Sequence, residues 1–138
     1  MDGVGATAIV KAFALASLVT GVDPALLSSL CFVESHHNIH ALAAQDGGSP
    51  SYGICQVKLR TARALGYVGR AAGLMDLETN ALYASMYLAT QKKRFGSWER
   101  AVSAFNAGHP IKSNRQYVRR VMEGWKRGIR ERRLLQMY

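Results

Sequence analysis

Asp23-Pro24-Ala25-Leu26-Leu27-Ser28-Ser29-Leu30-Cys31-Phe32-Val33-Glu34-Ser35 decides the fold class. Aspartate followed by proline is a helix start: the carboxylate accepts from a free N–H of the first turn, and proline has no N–H to leave unsatisfied. Leu26, Leu27, Leu30, Cys31 and Val33 then form a broad apolar face, which predicts a helix from Pro24 to about His36. The same period continues on either side. Val4 to Thr20 reads as an apolar helix ended by Gly21, and Gln56 to Leu65 as a short one stopped by Gly66. After an irregular, glycine-containing stretch to Asp76, Leu82, Tyr83, Met86, Tyr87 and Ala89 to Thr90 recur at helical spacing. Lys92, Lys93 and Arg94 place positive charge in the last turn of this long helix, and Gly96 supplies the stop. Ser97 caps a further helix, Trp98 to Ala107, closed by Gly108 and Pro110. A basic helix runs from about Asn114 to Trp125 or beyond, with the tail Arg130 to Tyr138 expected to fray. Only Asn38 to Gly53 breaks the pattern, and its turn formers, Gln45 to Ser51, leave room for a short hairpin at most. The expected architecture is all-α or mostly α, as one domain over residues 1–138.

The 138 residues, 49% hydrophobic and 20% charged, suffice for one core and exclude a disordered, collagen-like or disulfide-framework chain. No apolar stretch reaches the roughly 18 to 20 residues of a membrane-spanning helix, because Lys11 interrupts Val4 to Val22. Ala12 to Val22 has the hydropathy of a signal-peptide core, but it is preceded by Asp2 and a single base, Lys11, rather than by a basic cluster. It therefore reads as a mature helix, and export would use a route other than a standard cleaved signal. Cys31 and Cys55, both in apolar surroundings, read as two buried free thiols. Charge is uneven: nine of the 18 Lys and Arg residues lie at or after Lys112 against Glu123 and Glu131, so residues 112–138 carry +7 of the net +9. Such a segment suits a polyanionic neighbour, whether nucleic acid, an anionic membrane or an acidic wall polymer, or simple solubility.

Glu34 is the most informative position. Residues three, four and seven apart share a helix face, which aligns Glu34 with Leu27, Leu30 and Cys31 on the apolar side. Burial disfavours the charged form of a carboxyl group, and a carboxylic acid that keeps its proton near neutral pH is what general-acid catalysis needs. Further along stand Tyr52-Gly53-Ile54-Cys55-Gln56-Val57, with a glycine that permits close backbone approach and an amide that both donates and accepts. Ala104-Phe105-Asn106-Ala107-Gly108 and Tyr117 complete the set.

In this order the motifs resemble the catalytic domain of the lytic transglycosylases that share a goose-type lysozyme fold, with their Glu-Ser, Gly-Leu-Met-Gln, Ala-Tyr-Asn-Ala-Gly and late Tyr signatures. The resemblance spans about Pro24 to Val121. It implies that Glu34 is the acid/base, that Ser35 helps hold the site, and that Tyr52, Gln56, Phe105, Asn106 and Tyr117 meet the sugar chain. Two departures stand out. Ile54-Cys55 replaces Leu-Met, and Phe105 replaces a tyrosine, so that any role of the missing hydroxyl falls to Tyr117, to Tyr52 or to no group at all.

The implied reaction needs one carboxylate, no metal and no organic cofactor. The acid protonates the glycosidic oxygen between N-acetylmuramic acid and N-acetylglucosamine, and the muramyl 6-hydroxyl closes a 1,6-anhydro ring by intramolecular attack. A goose-type lysozyme would instead hydrolyse the bond, with Asp46 as the second carboxylate. A non-catalytic peptidoglycan- or polyanion-binding module is the remaining alternative, and the chain lacks recognition motifs for nucleic acid. The implied partner is the peptidoglycan glycan strand, met in the periplasm or cell wall. A small wall-cutting domain of this kind resembles phage-borne, virion-associated enzymes and those of secretion machines, to which the basic C-terminal segment could dock.

Overall fold

A computed structural model describes residues 5–137. Six α-helices and one small hairpin follow in the order α1 (Ala6–Thr20), α2 (Pro24–Ser35), β1 (Leu42–Asp46), β2 (Ser49–Tyr52), α3 (Leu59–Ala64), α4 (Leu77–Phe95), α5 (Trp98–Ala107) and α6 (Arg115–Gln136), with a single 3-10 turn over Ala71–Met75. The mostly-α expectation holds. Val4, the expected first residue of α1, lies outside the described residues, as does Tyr138. Among the described residues no helix is long and apolar enough to cross a membrane.

Helix ends follow their sequence signals. Gly21, Gly96 and Gly108 close α1, α4 and α5 in the left-handed conformation, each N–H bonding back four residues. Asp23, Asp76 and Ser97 cap the next helices through side-chain oxygens. Phe13, Leu26, Leu27, Leu30, Ile54, Leu74, Leu88, Val102 and Val121 are the large residues at the centre of the core.

The buried stripe of α4 differs from the expected one. It comprises Asn80, Ala81, Ala84, Ser85, Leu88 and Gln91, while Leu82, Tyr83, Met86 and Tyr87 are half-buried. Small residues let α1 and α4 pack closely, and a hydrogen bond of 2.6 Å joins Thr20 Oγ1 to Ser85 Oγ across that contact. The two buried amides are fully used. Asn80 Oδ1 accepts from the Cys55 N–H at 2.8 Å, and its Nδ2 donates to the Tyr52 and Leu74 carbonyls at 2.7 Å each. Gln91 Nε2 donates to the Ala104 carbonyl at 3.3 Å and to the Tyr87 hydroxyl at 3.2 Å.

Helices α2 and α6 lie antiparallel, with Ala25 against Gly128 and Ser29 against Gly124. A Cβ on Gly124 would overlap the Ser29 hydroxyl, and one on Gly128 would stand 3.0 Å from Ala25 Cβ. Ser29 Oγ donates to the Val121 carbonyl at 2.6 Å across this seam. The expected fraying of the tail does not occur: α6 continues to Gln136. Its later turns are anchored to the start of α2, because Arg132 forks onto both Asp23 carboxylate oxygens at 3.0 Å and Trp125 Nε1 donates to Asp23 at 3.2 Å.

The short third helix begins at Leu59 rather than Gln56, since Gln56 adopts φ +55° inside a turn. The two cysteines are also not free thiols. Cys31 and Cys55 form a disulfide, with Cα atoms 4.3 Å apart, tying α2 to the segment before α3.

Two stability measurements test this frame. Reducing the disulfide should cost about 3 kcal/mol of unfolding free energy, from the 24-residue separation it closes, read from urea melts with and without reductant. Asn80→Ala should cost about 3 kcal/mol by removing three hydrogen bonds and stranding the Cys55 N–H and the Leu74 carbonyl. A loss below about 1 kcal/mol would mean that the segment is held by other contacts.

Candidate active site

A cleft of about 420 Å³ is bounded by the end of α2, the hairpin, the turn into α3, and the end of α5. Glu34, Asp46, Gln56, Phe105 and Asn106 line it, together with Lys58, Arg60 and Tyr87. Of the residues expected at the site, Ser35, Tyr52 and Tyr117 are not among the lining groups. Each makes hydrogen bonds to groups that adjoin it.

Glu34 sits in the last turn of α2, on the face that carries Leu27, Leu30 and Cys31 into the core. Its carboxyl is largely withdrawn from water. Burial raises its pKa from the ordinary 4.5 to about 7; the Tyr117 hydroxyl opposes that rise by hydrogen bonding, and the Asp46 charge adds to it. Tyr117 reaches Glu34 from the first turn of α6 and donates to Oε2 at 2.5 Å. Burial, and next the neighbouring carboxylate, hold Tyr117 well above its ordinary value, so it remains a donor at neutral pH. The alignment comes from the seam described above: Ala25 against Gly128 and Ser29 against Val121 bring the antiparallel helices to Glu34 opposite Tyr117.

Ser35 fixes the turn that follows. Its hydroxyl donates to the Ile54 carbonyl at 2.6 Å and accepts from the Asn38 N–H at 3.1 Å. Tyr52 contributes backbone: its N–H and carbonyl pair with Val57 at 2.9 Å each, and the carbonyl also receives Asn80. Between them Gly53 has φ +76°, and a Cβ there would stand 2.6 Å from Asn80 Nδ2 and 2.9 Å from the Leu74 carbonyl, so only glycine fits. The loop thus presents Gln56 at the cleft, where its Nε2 donates to the Gly53 and Ala41 carbonyls at 2.9 and 3.2 Å.

The hairpin forms the opposite lip. Leu42 pairs with Tyr52, Ala43 with Ser51 and Asp46 with Ser49, and the left-handed Gly47 and Gly48 make the turn. Asp46 accepts the Ser51 hydroxyl at 2.7 Å. Lys58 donates to the Asp46 carbonyl, and to Ser49 Oγ at 3.1 Å, clamping the hairpin tip to the start of α3.

Phe105 is buried beside the cleft, its ring 5.3 Å from that of Tyr87. Tyr87, which sequence reasoning placed only on an apolar helix face, supplies a hydroxyl next to the position where Phe105 has none. Exposed Asn106 accepts from Asn114 Nδ2 at 3.0 Å, and Asn114 in turn is bonded to Ser103. Arg60, Tyr87 and Asn114 carried no sequence signal beyond ordinary surface or amphipathic polarity. Asn80 could have been found as a polar residue in register with Ala84 and Leu88.

The sequence model of one family, described as "Transglycosylase SLT domain", matches residues 11–126. That span contains every cleft residue named above and ends within α6. No curated protein matches the chain. With most of its length inside the match, the chain belongs to the transglycosylase SLT domain family, whose function is peptidoglycan degradation of the lytic transglycosylase type.

Proposed function

We propose that this protein is a lytic transglycosylase that cuts the β-1,4 bond between N-acetylmuramic acid and N-acetylglucosamine and leaves 1,6-anhydromuramyl ends. The observation that carries this reading is the Glu34 carboxyl, buried, with a pKa near 7 and held by Tyr117. A carboxylic acid poised at that value gives its proton to the leaving glycosidic oxygen and, once ionised, takes one from the muramyl 6-hydroxyl. The attack is intramolecular, so orientation replaces a bound water. Gln56, Phe105, Asn106 and Tyr87 offer amide, ring and hydroxyl contacts to the sugars.

One observation favours a second reading. Asp46 lines the same cleft and its charge is felt at Glu34, which is the arrangement a lysozyme-type hydrolase would use. Mass spectrometry of the sugar products separates the two, since anhydro ends are lighter by one water than reducing ends. Anhydro ends are expected, and reducing ends would transfer the assignment to the Glu34–Asp46 pair.

The proposed place of action is the periplasm or cell wall, supported by the Cys31–Cys55 disulfide, which persists in oxidising surroundings. The basic segment from Lys112 onward is assigned to holding the enzyme at an anionic wall, or within a virion or secretion assembly.

Glu34→Gln should lower the rate of wall lysis by about 10³-fold with the fold intact; retention of a tenth of the activity would remove Glu34 from the mechanism. The folded state holds the Glu34 proton more tightly than the unfolded chain, so stability should fall as pH rises from 4.5 to about 7 and then level off. Glu34→Gln should therefore raise the melting temperature at pH 8, by the equivalent of about 2–3 kcal/mol, and leave it unchanged at pH 4. Activity should decline above pH 7 as the acid ionises. In Tyr117→Phe the carboxylate loses its donor, and that limb should move to higher pH; a limb that stays in place would mean another group controls it.

A further inference from the structure

Among the described residues, the cleft holds one cation that no hydrogen bond or ion pair engages. Of its two lining bases, Lys58 is engaged by the Asp46 carbonyl and by Ser49. Arg60, exposed in the first turn of α3, makes no hydrogen bond or ion pair among the described residues. Asp46 lines the same cleft, but it accepts the Ser51 hydroxyl and forms no ion pair with Arg60. Arg60 lines the cleft together with Tyr87, and its charge acts on the Tyr87 hydroxyl.

The substrate of the proposed reaction has a matching feature. Where a stem is attached, the lactyl carboxyl of the muramyl sugar is tied up as an amide and the sugars are neutral, so the strand's negative charge resides on the carboxylates of the peptide stems. A planar guanidinium binds a carboxylate through two parallel hydrogen bonds, which an ammonium cannot reproduce. We propose that Arg60 is a specificity residue that binds a peptide-stem carboxylate, so that this cleft selects stem-bearing glycan over denuded glycan. The inference rests on the transglycosylase reading for the identity of the substrate. It adds to it the chemical class of strand that is preferred.

The test is a binding measurement in the Glu34→Gln background, where chemistry cannot interfere. Soluble glycan chains are prepared in two forms, with stems intact and with stems removed by an amidase, the lactyl carboxylates so exposed then being capped as neutral amides. Arg60→Ala should weaken binding of stem-bearing chains about tenfold and leave denuded chains within about twofold. Arg60→Lys should recover only part of the loss, because it restores charge without the fork. Because Arg60 is exposed, the variants should keep the parent's circular dichroism and melting temperature, which are checked first. Equal weakening of both chains, or none of either, overturns the proposal. Stem-selective binding by a wild-type protein that yields no anhydro ends would overturn the proposed reaction and uphold Arg60. Anhydro ends with no Arg60-dependent selectivity would do the reverse.

Discussion

The close approach of α2 and α6 is the constraint on which the site depends. A carboxyl in the core is costly to ionise, and in water Glu34 would be an ordinary acid. Its environment is made by helix surfaces that carry almost no side chain where they touch: Gly124 and Gly128 on one, Ala25 and Ser29 on the other. Bulk at either glycine would push the helices apart and carry Tyr117 away from Glu34. The same seam thus sets the helix separation at which Tyr117 reaches the carboxyl and tempers it.

The second organising element is a polar one. The segment between β2 and α3 has little regular hydrogen bonding of its own, yet it must present Gln56 at a fixed place. Asn80 does for it what a neighbouring strand would do, accepting the Cys55 N–H and donating to the Tyr52 carbonyl, while its other N–H ties the loop to the Leu74 carbonyl. Such a group is tolerated in the interior because all of its hydrogen-bonding capacity toward this loop is used, and that requirement fixes the loop in one arrangement.

Much of this was legible in the chain. The capping residues and stop glycines delimited α2 and α5 to within a residue, and Glu34 announced itself as a carboxylate on an apolar stripe. The mostly-α class followed from the same period. What escaped were facts of juxtaposition. Whether Cys31 and Cys55 are bonded depends on a Cα separation set by the whole fold, so apolar surroundings alone pointed to free thiols. The persistence of α6 depends on Asp23, more than a hundred residues earlier in the chain. Asn80 and Gln91 look solvated in a sequence and are buried because neighbouring backbone needs them. Ser35, expected to help hold the site, does bond to the Ile54 carbonyl, and the Tyr52 carbonyl is gripped by Asn80, a contact that no motif announced.

The disulfide also shapes how the molecule comes apart. Cys31 lies one helical turn before Glu34, and Cys55 directly precedes Gln56. Proteins open in cooperative units of differing stability, and loops that carry function usually belong to the weaker ones. Here the crosslink and Asn80 fasten the functional loop to the most buried helices, so the backbone that carries Gln56 and Glu34 opens together with the core. Among the described residues the hairpin tip is tied to the start of α3 by Lys58, a lighter fastening than the crosslink gives the functional loop.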